Sequence, residues 1–180
     1  MHYLTLLMTY VEPKGNYQEK LREVLKPFDE NNLEDSEFVD YKAELLEDFY
    51  KGKLLAYSGE PANKEYFTLE DFLKGEGYTY DEEFERYGYR YNPNALYDYY
   101  VLGGRFSNSL VTKTGRNVSY CQSSEVDTSQ LVAYYAIVEG EDTYRKVSPR
   151  DEEGEEALDD FVKMIKSNPD MYLYVIDMHI

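Results

Sequence analysis

The 180-residue chain predicts an α+β fold in one domain, an antiparallel or mixed sheet on a ferredoxin-like or split β-α-β plan with helices on one face and an irregular acidic insertion. Three observations carry that expectation. Apolar, β-rich runs stand near both ends and at 131–138. Helical spacing of apolar residues follows the first run and precedes the last. Hydrophobic residues make up 42% of the chain and aromatics 16%, enough for a continuous core and outside the range of disordered chains.

Residues 2–11, rich in Tyr, Thr, Leu and Val, read as a strand that stops at the turn Glu12-Pro13-Lys14-Gly15. Tyr17, Leu21, Val24 and Leu25 recur at helical spacing, and Lys26-Pro27 closes that helix because proline disfavours helix in the residue before it. Between Asp29 and Asp48 nine acids meet one base, while Phe38, Tyr41, Leu45 and Phe49 keep a helical stripe, which predicts an acidic amphipathic helix. Residues 52–92 lack clean periodicity and read as an insertion with short helices, one of them capped by Thr68. Asn92-Pro93 can open a short helix that Gly103-Gly104 would end. Residues 106–112 read as a strand, Lys113-Thr-Gly-Arg116 as a hairpin turn, and 131–138 as a buried strand with a short return at 143–147. Acids at 151–156 precede a helix with Leu158, Phe161, Val162 and Ile165 on one face, and 171–180 is the last strand.

Charge narrows the functional classes. Thirty-six acids against nineteen bases give a net charge of -17, a field that opposes binding to nucleic acid or to anionic lipid. The same field suits a basic groove on another protein. Cys121 is the only cysteine, so neither an intrachain disulfide nor a multi-thiolate zinc site can form, which fits a reducing cytoplasm. The first ten residues lack the basic start and cleavage site of a signal peptide, and no run approaches the ~18 apolar residues of a membrane span.

The densest stretch is Tyr91 to Phe106, which gathers a turn signal, an aromatic cluster, paired glycines and an arginine, at the head of the acid-free segment 105–124. Gly103, Gly104 and Arg105 can offer backbone N–H groups and a guanidinium to a phosphate or carboxylate, with Tyr99 to stack a base and Lys113 and Arg116 to hold charge nearby. The alternative is a structural turn in which Arg105 pairs with Asp98 or a neighbouring acid. Asp177 and His179 share a face of the last strand, and His2 could join them at a metal if the terminal strands adjoin. Terminal positions order poorly, however, and the expectation is exposed residues at frayed ends, with no metal and no cofactor. No Ser/His/Asp or Cys/His constellation is visible, which leans against an enzyme.

Three stretches resemble a family of uncharacterised bacteriophage and prophage proteins: Pro27-Phe28-Asp29-Glu30-Asn31 with Val39-Asp40-Tyr41, the central Asn92-Pro93 to Gly103-Gly104-Arg105-Phe106, and the closing Val175-Ile176-Asp177-Met178-His179-Ile180. The family pattern is Asn-Pro, Trp-Asp-Trp-Tyr, Gly-Gly-Arg-Trp and a final Asp-Cys-His-aliphatic. This chain carries Tyr97, Tyr99 and Phe106 at the tryptophan positions and Met178 at the cysteine. The resemblance implies a phage origin, a sheet closed by the C-terminal strand, and a place in host takeover or defence evasion. The expectation is then a non-enzymatic acidic binding protein in the host bacterial cytoplasm. It would inhibit a bacterial defence system by engaging a basic host protein through Glu34, Asp35, Glu37, Glu44, Glu47, Asp48, Glu82, Glu83, Glu152 and Glu153. The alternative is sequestration, or less favourably turnover, of a small phosphorylated nucleotide at Gly103-Gly104-Arg105.

Overall fold

The computed structural model describes residues 1–34, 36–41, 45–51, 68–148 and 150–180. In chain order the elements begin with β1 (His2–Thr9), α1 (Tyr17–Leu25), β2 (Glu37–Asp40) and α2 (residues 45–51). There follow α3 (Leu69–Gly75), β3 (Thr79–Asp81), β4 (Arg86–Tyr91), β5 (Tyr99–Leu102), β6 (Leu110–Val111), β7 (Asn117–Val118) and β8 (Tyr120–Gln122). The last are β9 (Tyr135–Val138), β10 (Arg145–Lys146), α4 (Glu152–Ser167) and β11 (Tyr172–His179). They form two compact units, Met1–Asn32 with Asn94–Ile180, and Leu33–Pro93. Where the sequence suggests one domain with an irregular insertion at 52–92, residues 33–93 pack as a unit of their own.

The first unit is built on β1 and β11, which pair antiparallel along their whole length from His2↔His179 to Thr9↔Tyr172. β9 runs parallel to β1, β10 pairs with β9, and β5 and β8 share the far edge of β11, giving the order β10-β9-β1-β11-β5. β1 is parallel to β5 with β11 between them, and β10 is parallel to β11 with β9 and β1 between them, so the fold contains two split β-α-β units. Both cross the sheet in the same direction from strands of opposite sense. Right-handed crossovers then require their helices on opposite faces.

Packing follows that rule. Leu21 and Leu25 of α1 are buried against Leu7, Ile137, Ile176 and Met178, while Phe161 and Ile165 of α4 are buried against Leu4, Leu6, Leu173 and Val175. Each such side chain contributes ~1.5–3 kcal/mol by leaving water. The helices therefore lie on both faces, not one, and this is why β1 and β11 read as continuous apolar runs: both their faces are covered. α4 starts where Asp151 accepts the Gly154 N–H at 2.8 Å, with Glu152, Glu153 and Glu155 favouring its dipole.

The helix expected from Asn92-Pro93 is absent. Leu96 and Tyr97 instead donate their N–H groups to the Phe28 carbonyl, and the aromatic and β-branched Tyr99-Tyr-Val-Leu102 pairs with β11 as β5. The expected hairpin at 113–116 is present between β6 and β7.

In the second unit β2, β4 and β3 form an antiparallel sheet, and Phe49, Phe72 and Leu73 make a small core with Leu45, Leu69 and Tyr87. Thr68 caps α3 by accepting the Asp71 N–H at 3.0 Å. The acidic helix expected over 29–48 is corrected: Glu37–Asp40 is strand β2, paired with β4, because Phe38 and Val39 fit a half-buried pleat and Phe38 stacks on Phe84 at 4.5 Å.

Candidate functional site

Strand alternation in the first unit places four polar side chains together. Leu4, Leu6 and Val175 face α4, so His2, Asp177 and His179, at even spacing from them, face the same way. Register adds Tyr99 of β5, the partner of His179. The frayed ends expected from the sequence are replaced by a fully paired sheet end, where the Ile180 N–H donates to the Met1 carbonyl at 2.8 Å.

Asp177 lies at the centre, 3% exposed. One oxygen, Oδ1, is 2.8 Å from His2 Nδ1, and the other, Oδ2, accepts the backbone N–H of Arg105 at 3.0 Å. That bond needs the glycines before it. Gly103 (φ +71°) donates its N–H to the Val175 carbonyl at 2.7 Å, and Gly104 (φ +52°) passes so close that a Cβ there would stand 2.5 Å from Asp177. Burial pushes the Asp177 carboxyl up, but the Arg105 N–H, His2 and the Arg105 guanidinium outweigh it and hold the group below the usual carboxylate range.

A second pair stands beside the first. His179 Nδ1 is 2.8 Å and 2.9 Å from the two oxygens of Asp98, which also accepts the Tyr99 N–H at 2.7 Å. Desolvation raises the Asp98 carboxyl, and the His179 and backbone bonds more than reverse it, so Asp98 also sits below its ordinary value. With both carboxylates ionised, a neutral imidazole at either position carries its proton on Nδ1 and presents a lone pair at Nε2. The rings lock together: Tyr99 stacks on His179 at 4.7 Å and 14°, the two histidines meet edge to face at 5.0 Å, and Tyr99 Oη is 3.3 Å from His2 Nε2.

Tyr99 and Asp98 also line a groove of about 810 Å³ between α1 and β5, with Gln18, Arg22, Glu23, Lys26, Asp29, Tyr97 and Tyr100. Its volume is that of a small-molecule site. Tyr97 is fixed by donating its hydroxyl to the Leu25 carbonyl at 3.0 Å, and the Arg22 guanidinium stands near the Tyr100 hydroxyl. β5 alternation sends Tyr100 into the α1 core and leaves Tyr99 46% exposed, while Tyr97, which precedes the strand, enters that core through its bonds to Leu25 and Phe28.

Of the residues singled out by sequence, Gly104 and the backbone N–H of Arg105 meet at Asp177, Gly103 bonds to the Val175 carbonyl, and Tyr99 reaches the cluster through His2 and His179. Lys113 and Arg116 lie on the β6–β7 hairpin, where the Lys113 ammonium donates to the Ser124 carbonyl at 2.7 Å. The acidic positions do not form one hydrogen-bonded set. Glu37 accepts the Tyr91 hydroxyl, Glu83 pairs with Arg90, and Glu47 and Asp48 flank Lys51. Glu34, Glu82, Glu152 and Glu153 are exposed, and Asp35 and Glu44 lie outside the described residues.

Sequence reasoning weighed His2, Asp177 and His179 together only as a metal group and set them aside as frayed ends, and it missed their hydrogen-bonded pairing, Asp98 as the partner of His179, and Arg22 and Lys26 as groove residues. The parity of Asp177 and His179 was the available signal for the first. Among the described residues no group of His, Cys, Asp and Glu is arranged to hold a metal ion, and no helix is long and apolar enough to cross a membrane. Burial pushes the Cys121 thiol up to about 11, so it is not a nucleophile at neutral pH. Comparison of the chain with protein-family models, curated proteins and solved structures gives no match.

Proposed function

We propose that the chain binds a small phosphorylated ligand of the nucleotide class in the groove between α1 and β5. The observation that carries this reading is the lining of the groove, which sets Arg22 and Lys26 beside the aromatic residues Tyr97, Tyr99 and Tyr100. Aromatic side chains offer apolar surface for a base, and Arg22 and Lys26 offer cationic donors to a phosphate beside the acids Glu23, Asp29 and Asp98, while Arg105 stands outside the groove, at Asp177. Within an infected bacterium, sequestration of such a ligand would silence a nucleotide signal of host defence, in keeping with the phage resemblance and a cytoplasmic site of action. The test is a thermal-shift screen against nucleotides, cyclic oligonucleotides and nicotinamide derivatives, run beside Arg22→Ala and Lys26→Ala. A ligand at ~100 times its dissociation constant adds ~2.7 kcal/mol. A stabilising compound whose effect disappears in the variants supports the reading, and a silent screen sinks it.

A second reading rests on charge. At -17, with Glu82, Glu152 and Glu153 exposed, the protein can occupy a basic, nucleic-acid-binding surface of a host defence protein and inhibit it without chemistry. Intramolecular pairing of Glu37, Glu47, Asp48 and Glu83 weakens that reading relative to the first.

A further inference from the structure

Ligand binding leaves one arrangement unused: the hydrogen-bonded file from Asp177 Oδ1 to His2 Nδ1, and from His2 Nε2 to Tyr99 Oη, at 2.8 Å and 3.3 Å. It runs from a carboxylate 3% exposed to a phenol in a residue 46% exposed. We infer that this file is an orienter, base and nucleophile in series, and that the protein cleaves a phosphodiester of the nucleotide class through a covalent intermediate on Tyr99. The inference rests on the ligand-binding reading above.

Each part of the file is held by something other than its neighbour in it. Asp177 Oδ2 is taken by the Arg105 N–H, so Oδ1 is left for His2. His2 is fixed by the β1–β11 register and by the His179 ring at its edge. The Tyr99 ring is fixed by its stack on His179. In the neutral tautomer that gives Nδ1–H to the carboxylate, Nε2 is an acceptor, and the Tyr99 hydroxyl at 3.3 Å is the donor within its reach. A reach of 3.3 Å is typical of a nucleophile and base that close up on substrate. His179, oriented by Asp98, supplies a second, separate proton site at its own Nε2.

In the first step Tyr99 Oη attacks phosphorus and its proton passes to His2 Nε2. The P–Oη bond forms, the bond to the departing alcohol oxygen breaks, and that oxygen takes a proton from the imidazolium of His179. In the second step water attacks the phosphotyrosyl phosphorus and gives a proton to the now neutral His179. Tyr99 leaves and recovers its proton from His2, so phosphodiester and water become phosphomonoester and alcohol.

The full chain is tested with bis(4-nitrophenyl) phosphate and with a cyclic dinucleotide, following product release and intact mass. Wild type should turn over at least one probe, and Tyr99→Phe, which keeps the ring stack, should lose at least 100-fold in rate while retaining its melting temperature. His2→Ala should lose a similar factor. Because 4-nitrophenolate departs without a proton, His179→Phe, which keeps a ring against Tyr99 and His2, should still be modified but not released, and a nitrophenyl-phosphoryl adduct should accumulate on Tyr99. Undiminished turnover by Tyr99→Phe overturns the inference. So does absence of turnover with a cyclic dinucleotide that still raises the melting temperature, an outcome that leaves the binding reading standing. Neither turnover nor stabilisation by any compound overturns both.

Discussion

The backbone N–H of Arg105 donates to Asp177 Oδ2 at 3.0 Å, so the first anion held by the Gly-Gly-Arg turn is the protein's own carboxylate. Gly104 makes the approach possible, and its replacement by alanine should be costly on two counts. The new Cβ would meet Asp177 at 2.5 Å, and the backbone would keep a φ of +52° that side chains rarely adopt. Strain and overpacking of this kind cost about 1–3 kcal/mol each. Gly104→Ala should therefore lower the melting temperature by roughly 4–8 °C or more, measured by differential scanning fluorimetry. An unchanged transition would mean that the turn can move off the carboxylate.

Asp177 also ties stability to pH. Its folded-state carboxyl titrates below the unfolded value, so the folded state binds fewer protons than the unfolded one as pH falls through the unfolded range. The stabilisation is fully present above the ordinary carboxylate range, near pH ~4, and is lost as pH falls through the depressed folded value. Asp177→Asn should cost about 1–3 kcal/mol at neutral pH. It should also flatten the acid limb of a plot of melting temperature against pH. If the acid limb is unchanged, other carboxylates such as Asp98 and Asp151 carry it.

Why the sheet was legible and the site was not follows from these residues. β1, α1, α4 and β11 each announce themselves by local periodicity and stop signals, and those signals act within a few residues. The cluster depends on register between positions 2 and 179, and on a third strand that local pattern favours as a helix after Asn92-Pro93. Gly103 and Gly104 were visible as conformational signals, but what they approach is a side chain more than seventy residues away. The handedness of the two crossovers is likewise set by strand order, which single-segment patterns do not contain. Arg22 sits on the polar side of α1 by spacing alone, and only its neighbour Tyr100 makes it part of a groove.

Cys121 offers a check on the core that is independent of the site. The residue is 6% exposed and burial pushes its thiol up to about 11, so at pH 8 the thiol is both shielded and held in its unreactive protonated form. Alkylation by iodoacetamide in native buffer should be negligible over an hour and should become rapid at the urea midpoint of unfolding. Rapid native labelling would place Cys121 outside the packed cluster that includes Leu173 and Phe161.

Phe161 reports on the α4 face. It is fully buried at the centre of the larger core cluster, and Phe161→Ala should cost ~3–5 kcal/mol, the usual range for deleting a buried aromatic ring. Far-UV circular dichroism during urea unfolding would measure the loss as a lower midpoint. A shift below ~1 kcal/mol would mean that the site collapses around the cavity.

Charge reversal separates the two functional readings. Glu82, Glu152 and Glu153 are exposed, and Glu82→Lys should change stability by no more than ~0.5 kcal/mol. Glu152→Lys and Glu153→Lys place positive charge in the first turn of α4, at a cost of ~0.3–1 kcal/mol each. None of the three lines the groove, so ligand-induced stabilisation should be retained in the triple variant if the groove is the functional surface. A partner held through acidic faces would instead be released by the triple variant and by raising salt from 50 to 300 mM. Such attraction between exposed charges decays over ~8–10 Å near physiological ionic strength. Co-purification from a cell lysate, run on wild type, the triple variant and Arg22→Ala, gives opposite patterns for the two readings. Loss of the partner only in the triple variant assigns the function to the acidic surface, and loss of ligand stabilisation only in Arg22→Ala assigns it to the groove.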